Sequence, residues 1–396
     1  MNSKLSNRVN EMATSATLAM AAKARELREE GKDIIGLSLG EPDFTVPDFV
    51  KEAAIQAVKD DFHAYTPVDG YGDLKKAIIT KFRRDNNLIF TPAQIVVSTG
   101  AKQSLANLAM VLLNEGDEVL LPAPYWVSYA DIAKLAGGVP VEIPSTIDSD
   151  FKVTPQALEA AITPKTKMMI YSSPCNPSGS VYSREELRAL ADVLVKYPNI
   201  IIVSDEIYEH INFTGKHASM AQFDDMYEQT VTVNGVSKAY AMTGWRIGYI
   251  GAPEWIARAC NKMQGQITSG ANCIAQRATI TALENPPSKI QYMVDAFKER
   301  RTMILKLLSE IPGFKTNKPE GAFYVFPDIS YYFGKTLRGK QINSASDFSL
   351  YLLEEATVAT VTGEAFGDPN CIRISYAASE ADIKEAMKRI KAALID

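Results

Sequence analysis

Lys238 is the residue whose sequence surroundings point most directly to chemistry. It stands among small and apolar residues in the stretch 234–249, NGVSKAYAMTGWRIGY. An amine removed from water has a lowered pKa and becomes a nucleophile able to form an imine. A surface lysine with a snorkelling stem would account for Lys238 taken alone. Ser237 beside it, Arg246 eight residues later and Asp205 on the neighbouring predicted strand together favour the nucleophile.

The apolar run at 95–98 opens into a turn of small residues, TGAKQ, at 99–103. Small residues between a strand and a helix leave backbone N–H groups free at the helix start, which suits a phosphate. A helix start with nothing bound is the alternative. The turn is not a P-loop, and the sequence DGYG at 69–72 lacks the third glycine of a dinucleotide-binding fingerprint. The sequence therefore allows a phosphate here but does not predict a dinucleotide.

Polar side chains also follow the apolar runs at 168–171 and 200–204. Asp205 ends the second run, and burying a carboxylate is costly unless a cation accompanies it. A solvated acid or a helix cap is the alternative for this residue. Tyr208 would face the same way as Asp205 if the segment formed the first turn of a helix. Asn176 lies in a loop fixed by two prolines and a glycine, and it offers both a donor and an acceptor.

Arg373 lies between two isoleucines in the short apolar run CIRISY at 371–376. An arginine on such a strand either points to solvent or meets an anion through two parallel hydrogen bonds. The alternation of its neighbours leaves both interpretations open.

Helices and short apolar runs alternate from about residue 48 to 280, and these elements would position the polar side chains. Predicted strands lie at 95–97, 118–121, 168–171, 200–203, 230–233 and 247–250, between helices such as 102–113, 184–196 and 254–264. Near-continuous apolar strands alternating with helices indicate a mostly parallel sheet covered on both faces. In such sheets ligands bind beyond the carboxyl ends of the strands. We therefore expect the polar groups to meet at this edge.

After about residue 285 the pattern changes to that of a smaller α+β domain. Helices are expected at 289–309, 346–355 and 380–393, with short apolar runs at 321–326 and 371–376. Near the N-terminus a further helix is expected at 17–30. The predicted units are an N-terminal segment packing with the small domain (1–47), a large cofactor-binding domain (48–285) and the small domain (286–396). A ligand would then lie at the domain interface.

Composition limits the class of protein. Of the 396 residues 46% are hydrophobic and 22% are charged, which is an ordinary globular balance. A net charge of −5 without any Lys/Arg-rich block argues against nucleic acid or an anionic membrane as a partner. No apolar stretch approaches the roughly 20 residues of a membrane span, and the N-terminus lacks the apolar core of a secretory signal.

The four cysteines are Cys175, Cys260, Cys273 and Cys371. They lie far apart and form no C-x-x-C pair, which argues against a zinc site and against a disulfide framework. We therefore expect no metal and a reducing compartment, the cytoplasm.

Three motifs together resemble those of one enzyme family. They are SKAYAMTGWRIGY at 237–249, APYWVSY at 123–129 and SDEIY at 204–208. The sequence is similar to the class I aminotransferases of the fold type I pyridoxal-phosphate enzymes, close to the bacterial aspartate aminotransferases, from Gly40 to Tyr376. The resemblance implies an α/β fold with a mostly parallel seven-stranded sheet sandwiched by helices, and a smaller α+β domain formed by both terminal segments. It also implies pyridoxal 5′-phosphate as the cofactor.

The resemblance assigns roles around the cofactor ring. Lys238 would form the imine and later carry the proton, and Asp205 would pair with the pyridinium nitrogen and keep it charged. Tyr208 and Asn176 would hydrogen-bond the ring 3-oxygen. Trp126 would stack on the face of the ring.

The resemblance also places the phosphate and the substrate. The residues implied around the phosphate are Gly100, Ala101, Lys102, Ser237 and Arg246. Tyr65 matches the tyrosine that reaches the phosphate from the partner subunit, so a homodimer with active sites at the subunit interface is implied. Arg373 would bind the substrate α-carboxylate. Gly40, Trp126 and Asn176 would lie beside it.

The substrate's second carboxylate requires a further cation. Animal-type relatives use an arginine of the partner chain, but the corresponding residues 263–276 contain no arginine. In the bacterial branch a lysine at the start of the phosphate-binding helix takes this role, and Lys102 fits it. The resemblance therefore implies ping-pong transamination between L-aspartate and 2-oxoglutarate, giving oxaloacetate and L-glutamate.

Other activities remain open on the same motifs. Prephenate or an aromatic keto acid could serve as the acceptor, and a pyridoxal-phosphate lyase could use the same fold. A cofactor-sensing transcription regulator is not expected, because only about 40 residues precede Gly40.

Overall fold

The computed structural model describes residues 4–12 and 14–394, which form one large sheet, several small ones and the helices that cover them. Within these residues the strands are β1 (Ile35–Gly36), β2 (Ile95–Ser98), β3 (Glu118–Pro122), β4 (Val139–Ile143), β5 (Thr166–Ser172), β6 (Ile201–Asp205), β7 (Thr230–Gly235), β8 (Gly248–Gly251), β9 (Tyr324–Val325), β10 (Lys335–Leu337), β11 (Lys340–Ile342), β12 (Val358–Ala359), β13 (Val361–Thr362) and β14 (Ile372–Ser375).

The α-helices of the same residues are α1 (Asn7–Glu11), α2 (Ala16–Glu29), α3 (Asp48–Lys59), α4 (Gly72–Asn86), α5 (Ala101–Leu112), α6 (Ser128–Leu135), α7 (Pro155–Ala161), α8 (Arg184–Leu194), α9 (Glu254–Ile267), α10 (Cys273–Glu284), α11 (Gln291–Ser309), α12 (Ala345–Glu355) and α13 (Glu380–Leu394).

The large sheet has seven strands in the order β2-β8-β7-β6-β5-β3-β4. Strand β8 runs opposite to the other six strands, which are parallel to one another. Every residue of β6 and of β7 is buried, as expected of strands covered by helices on both faces. The predicted α/β fold with a mostly parallel seven-stranded sheet is therefore confirmed.

Alternate residues of the strands point to opposite faces of the sheet and pack into two separate hydrophobic cores. On one face, Leu121 of β3 packs in a cluster with residues of α5, α6 and α9. On the other face, Leu120 packs with residues of α7 and α8. Helix α8 begins at a capping box in which Ser183 and Glu186 exchange hydrogen bonds. Each fully buried leucine of these layers contributes about 1.5–3 kcal/mol, and together they hold the strand ends in place.

Of the seven strands of the large sheet, β4 is the one that the apolar runs did not predict. Its residues are mostly half-exposed, and Pro140 and Glu142 interrupt the hydrophobic pattern. It lies at an edge of the sheet beside β3, where only one neighbour is needed. An edge strand carries a weaker hydrophobic signal, because one side of it faces solvent.

The C-terminal third builds a second, smaller layer. Strands β13, β14 and β9 form an antiparallel sheet, and β10 and β11 form a hairpin. Strand β1, from the N-terminal segment, pairs in parallel with β12, with Ile35 opposite Val358. Helices α11 and α13 pack on each other beside these strands. Among the described residues, no helix combines the length and apolar character that crossing a membrane requires.

Candidate active site

A cavity of about 270 Å³ opens where the carboxyl ends of the large sheet's strands meet the small sheet. Its volume is close to the range of roughly 300–1,000 Å³ that is usual for small-ligand sites. The residues predicted from the sequence that line it are Gly40, Ala101, Lys102, Trp126, Asn176, Asp205, Tyr208, Ser237, Lys238, Arg246 and Arg373. Lys238 and Asp205 thus open into one common cavity.

Lys238 follows β7 by three residues and carries its amine into the cavity. Its Nζ donates a hydrogen bond of 2.5 Å to the carbonyl oxygen of Gly40. Burial lowers the pKa of Lys238 to about 8, with Arg373 and Arg246 acting in the same direction against the nearby carboxylate of Glu41. An amine with this pKa is neutral in an appreciable fraction at neutral pH, which makes it a nucleophile and a base.

Asp205 is the last residue of β6 and is only 4% exposed. The Tyr129 hydroxyl donates to its Oδ2 at 2.7 Å, and the Ile207 N–H donates to its Oδ1 at 3.2 Å. Burial raises the pKa of Asp205 to about 6 despite these two donors. A cation arriving in the cavity would restore the charged carboxylate, so Asp205 suits a protonated ring nitrogen.

Tyr208 lies in a turn after β6 rather than in the first turn of a helix. It still lines the cavity together with Asp205. The two residues both reach the cavity because the chain turns where it leaves the edge of the sheet. Helical periodicity plays no part in this. The Tyr208 hydroxyl lies 2.6 Å from the hydroxyl of Tyr324.

The start of α5 forms a small cradle for an anion. Gly100 precedes the helix with a φ of +82°, a conformation that L side chains rarely adopt. A Cβ at this position would collide with the guanidinium of Arg246. Ser237 and Arg246 line the cavity beside Ala101, the first residue of the helix. A helix N-terminus, a hydroxyl and a guanidinium together are the donor set that a phosphate requires.

Arg373 comes from β14 and is 1% exposed, which excludes the outward orientation. Its Nη1 donates to Asn176 Oδ1 at 2.9 Å, and its Nη2 donates to the Ser38 carbonyl oxygen at 2.5 Å. Its Nε is buried and has no hydrogen-bond partner. A buried guanidinium with a free donor and without a carboxylate partner among the described residues suits a bound carboxylate.

Lys102 supplies a second cation to the cavity. Its Nζ lies 4.8 Å from the centroid of the Trp126 ring. Partial burial and the charge of Arg246 lower its pKa. Across residues 4–12 and 14–394 no acidic side chain pairs with Lys102. The cavity therefore presents two cations, Lys102 and Arg373, that are free to bind anionic groups.

Comparison with known proteins agrees with this geometry. The family model "aminotransferase class I and II" matches residues 32–390. The chain belongs to this family of aminotransferases. Its sequence is 48% identical to the aspartate/prephenate aminotransferase of Nitrosomonas europaea, with 99% of this chain and all of the relative covered.

Solved aminotransferase structures are similar over the full length. The aspartate aminotransferase of Rhizobium meliloti superposes with a TM-score of 0.95 at 44% identity, covering 98% of each chain. The aspartate aminotransferase of Thermus thermophilus with maleate gives a TM-score of 0.93 at 41% identity and covers both chains completely. The protein is therefore a pyridoxal-phosphate-dependent aminotransferase.

The residues of this aminotransferase fit its cofactor in three respects. Lys238 offers an amine of lowered pKa, and Asp205 offers a buried acid that lacks a cation. The cradle at Gly100 leaves room beside Arg246 that a side chain would fill. These features correspond to the aldehyde, the ring nitrogen and the phosphate of pyridoxal phosphate.

Two predicted residues do not line the cavity. Gly100 lies directly before Ala101 and acts through the backbone at the start of α5. The Tyr65 side chain is 99% exposed on the surface. Nothing within one chain therefore brings Tyr65 to the cavity.

Two tyrosines that line the cavity, Tyr129 and Tyr324, had no role predicted from the sequence. Tyr129 is hydrogen-bonded to Asp205, 76 residues away. Tyr324 is hydrogen-bonded to Tyr208, 116 residues away. Tyr129 stands in the motif at 123–129, but no local spacing indicates its partner. Tyr324 had no signal beyond its place in an apolar run.

Proposed function

We propose that this aminotransferase transfers the amino group of L-aspartate to 2-oxoglutarate, giving oxaloacetate and L-glutamate. The observation that carries the proposal is the pair of cations, Arg373 and Lys102, in the cavity that also holds Lys238. An amino acid with two carboxylates can engage both cations, whereas alanine can engage only one. The Thermus thermophilus relative, whose structure contains the dicarboxylate maleate, supports the same substrate class.

The cofactor, when bound, supplies an aldehyde that condenses with amines and a ring that accepts electrons. Lys238, in its neutral form, would take the proton from the substrate Cα and return it to the carbon of the cofactor's aldehyde group. Asp205 would keep a proton on the ring nitrogen, and Tyr208 and Asn176 would donate to the ring 3-oxygen. Arg373 and Lys102 hold the two carboxylates, so that their binding energy orients the Cα–H bond.

Reduction of the purified holoenzyme with borohydride, followed by peptide mapping, tests the assignment of the lysine. We expect a pyridoxyl adduct on Lys238. An adduct on any other lysine would overturn the site.

The Lys102→Ala variant tests the substrate class. Loss of one charge-assisted contact should raise KM for aspartate about tenfold or more and leave KM for alanine nearly unchanged. Lys165→Ala, at an exposed position outside the cavity, serves as the matched control. An equal rise in KM for both amino acids would contradict the role of Lys102.

A second candidate function uses prephenate as the amino-group acceptor. The Nitrosomonas europaea relative carries both activities in its name. The cavity wall also includes the apolar side chains Leu18, Leu39 and Val127, against which a ring could pack. Parallel assays with oxaloacetate and prephenate as acceptors measure the two kcat/KM values and decide between the activities. Release of ammonia without any acceptor would instead reveal a lyase.

We propose a homodimer as the working form, with Tyr65 of each subunit reaching the phosphate site of the other. The exposure of Tyr65 supports this arrangement only in that its ring is free to contact a second subunit. Sedimentation of the wild type and of Tyr65→Phe measures the mass and the retention of cofactor. A monomer that retains full activity would contradict the proposal.

The division into segment 1–47, large domain 48–285 and small domain 286–396 is part of the same proposal. The pairing of β1 with β12 supports grouping the N-terminal segment with the C-terminal part. A cytoplasmic location is consistent with the four free cysteines, three of them buried.

A further inference from the structure

We infer that Tyr324 is a positioning residue: it donates a hydrogen bond to the Tyr208 hydroxyl and so strengthens Tyr208 as a donor to the cofactor ring. The two hydroxyl oxygens lie 2.6 Å apart, and both side chains are buried. The inference rests on the proposed role of Tyr208, and therefore on the proposed function.

The number of protons decides the direction of the bond. Without a ligand, either hydroxyl can donate to the other. A tyrosine hydroxyl has one proton and two lone pairs. When Tyr208 gives its proton to the ring oxygen, the proton shared with Tyr324 must come from Tyr324. A hydroxyl that accepts one hydrogen bond becomes a stronger donor in the next, particularly where water is excluded.

The surroundings hold the Tyr324 hydroxyl in place. The guanidinium of Arg373 lies 4.6 Å from the Tyr324 ring centroid, and the Phe323 ring centroid lies 4.8 Å away. On the opposite side, a Cβ at Gly40 would collide with the Tyr324 hydroxyl, so only glycine leaves it room. The hydroxyl is therefore confined to a position from which it reaches Tyr208.

The bond also joins the two sheets. Tyr324 belongs to β9, which pairs with β14, the strand that carries Arg373. Tyr208 follows β6 of the large sheet. Tyr324 thus contacts both the arginine proposed to bind the substrate carboxylate and the tyrosine proposed to bind the cofactor.

Tyr324→Phe tests the inference, because it removes the hydroxyl and keeps the ring. The readout is the pKa of the visible absorbance band of the holoenzyme, measured by titration without substrate. A donor to the ring oxygen stabilises its deprotonated form, so a weaker donor should raise this pKa, by about 0.5–1 unit. The charged groups that face the two hydroxyls, Arg373, Asp205 and Glu41, are the same in the variant.

Tyr376→Phe is the matched control. Its hydroxyl is also buried and donates to a backbone carbonyl oxygen, that of Ala322, 3.2 Å away. We expect the absorbance pKa of this variant to equal that of the wild type. Tyr208→Phe should raise the absorbance pKa further than Tyr324→Phe does, and the double variant should show no additional rise.

Two results would overturn the inference: an unchanged absorbance pKa in Tyr324→Phe, or a shift of the same size when Tyr208 is already phenylalanine. If Tyr324→Phe folds poorly, Gly40→Ala displaces the hydroxyl instead and should shift the pKa in the same direction. The wild-type assay with aspartate and 2-oxoglutarate reports on the proposed function separately. If the wild type does not turn over these substrates, while Tyr324→Phe still raises the absorbance pKa, only the proposed substrates are refuted.

Discussion

Asp205, the last residue of β6, and Glu209, in the turn that follows, are buried carboxylates four residues apart, yet their surroundings differ. Asp205 opens into the cavity, with Tyr129 as its side-chain donor and no cation bonded to it. Glu209 points away from the cavity and forms an ion pair with buried Lys81. Burial raises the pKa of Asp205 to about 6. Burial would raise that of Glu209 too, but Lys81, two histidines and Asn86 bring it well below its ordinary value.

Glu209 lies in a buried network of charged and polar side chains. Asn86 accepts from Lys81 Nζ at 2.6 Å and donates to Glu209 Oε2 at 2.6 Å. Glu206 is fully buried, and its Oε2 lies 2.8 Å from His217 Nε2. Charges in a buried pair are costly to separate, so this network fixes the turn.

The difference indicates how one segment serves both structure and chemistry. Where the protein supplies the counter-ion, as Lys81 does for Glu209, the ion pair stabilises the fold. Where it does not, the acid without a counter-ion is available for a cationic ligand. Substitution of each carboxylate by its amide can separate the two effects.

Asp205→Asn should produce the largest effect on catalysis. An amide cannot hold the proton on the ring nitrogen, so kcat should fall by roughly 10³-fold, about 4 kcal/mol of barrier. Steady-state assays with aspartate and 2-oxoglutarate measure the loss. Glu209→Gln is the control and should keep kcat within a few-fold per folded molecule. Comparable losses of kcat in the two variants would contradict the separate roles of Asp205 and Glu209.

Glu209→Gln should produce the largest effect on stability. It leaves Lys81 buried without its anionic partner, which costs about 3–5 kcal/mol. Denaturant unfolding of holoenzyme measures the change, with the exposed pair partner Glu159→Gln as the control. The exposed pair should contribute less than about 1 kcal/mol. A loss no greater than in the control would show that the network is not a structural element.

The pH dependence of the cofactor-free protein should report on Asp205. The folded state holds this proton up to about pH 6, whereas the unfolded chain releases it near 3.8. The folded state therefore binds more protons between these values, and stability falls as pH rises through the window, by about 3 kcal/mol in total. Unfolding at pH 4 and pH 7 measures the fall. The fall in stability with pH should be smaller in Asp205→Asn. An equal fall in both proteins would refute the raised pKa of Asp205.

His217, which pairs with Glu206 in the network around Glu209, should give the smallest of these effects. Burial lowers its pKa, but Glu206 outweighs burial, and the net shift is upward from 6.5. Its stabilising contribution is therefore present below pH 6.5 and is lost as pH rises through the raised folded-state pKa. Unfolding of the holoenzyme at pH 6 and pH 9 measures it. His217→Gln should remove this pH dependence, and its persistence would contradict the role of the pair.

Local sequence was sufficient to predict most of the elements. The run from 200 to 204 predicted β6, and the small residues at 99–103 predicted the start of α5. The same reasoning missed β4, whose Pro140 and Glu142 weaken the apolar pattern. The sequence left open whether a helix starts at Tyr208, because spacing alone does not distinguish a helix from an irregular turn, and the structure has a turn there.

The sequence by itself determined the reactive groups and the strands that carry them, since motifs and hydrophobic periodicity are local properties. Only the tertiary structure decided which groups meet. Arg373 and Asn176, 197 residues apart, share a hydrogen bond, and Lys81 lies inside the molecule opposite Glu209. Such contacts depend on how the sheets and helices pack. The residues that enforce them are spread along the chain, and no short stretch of sequence contains both partners.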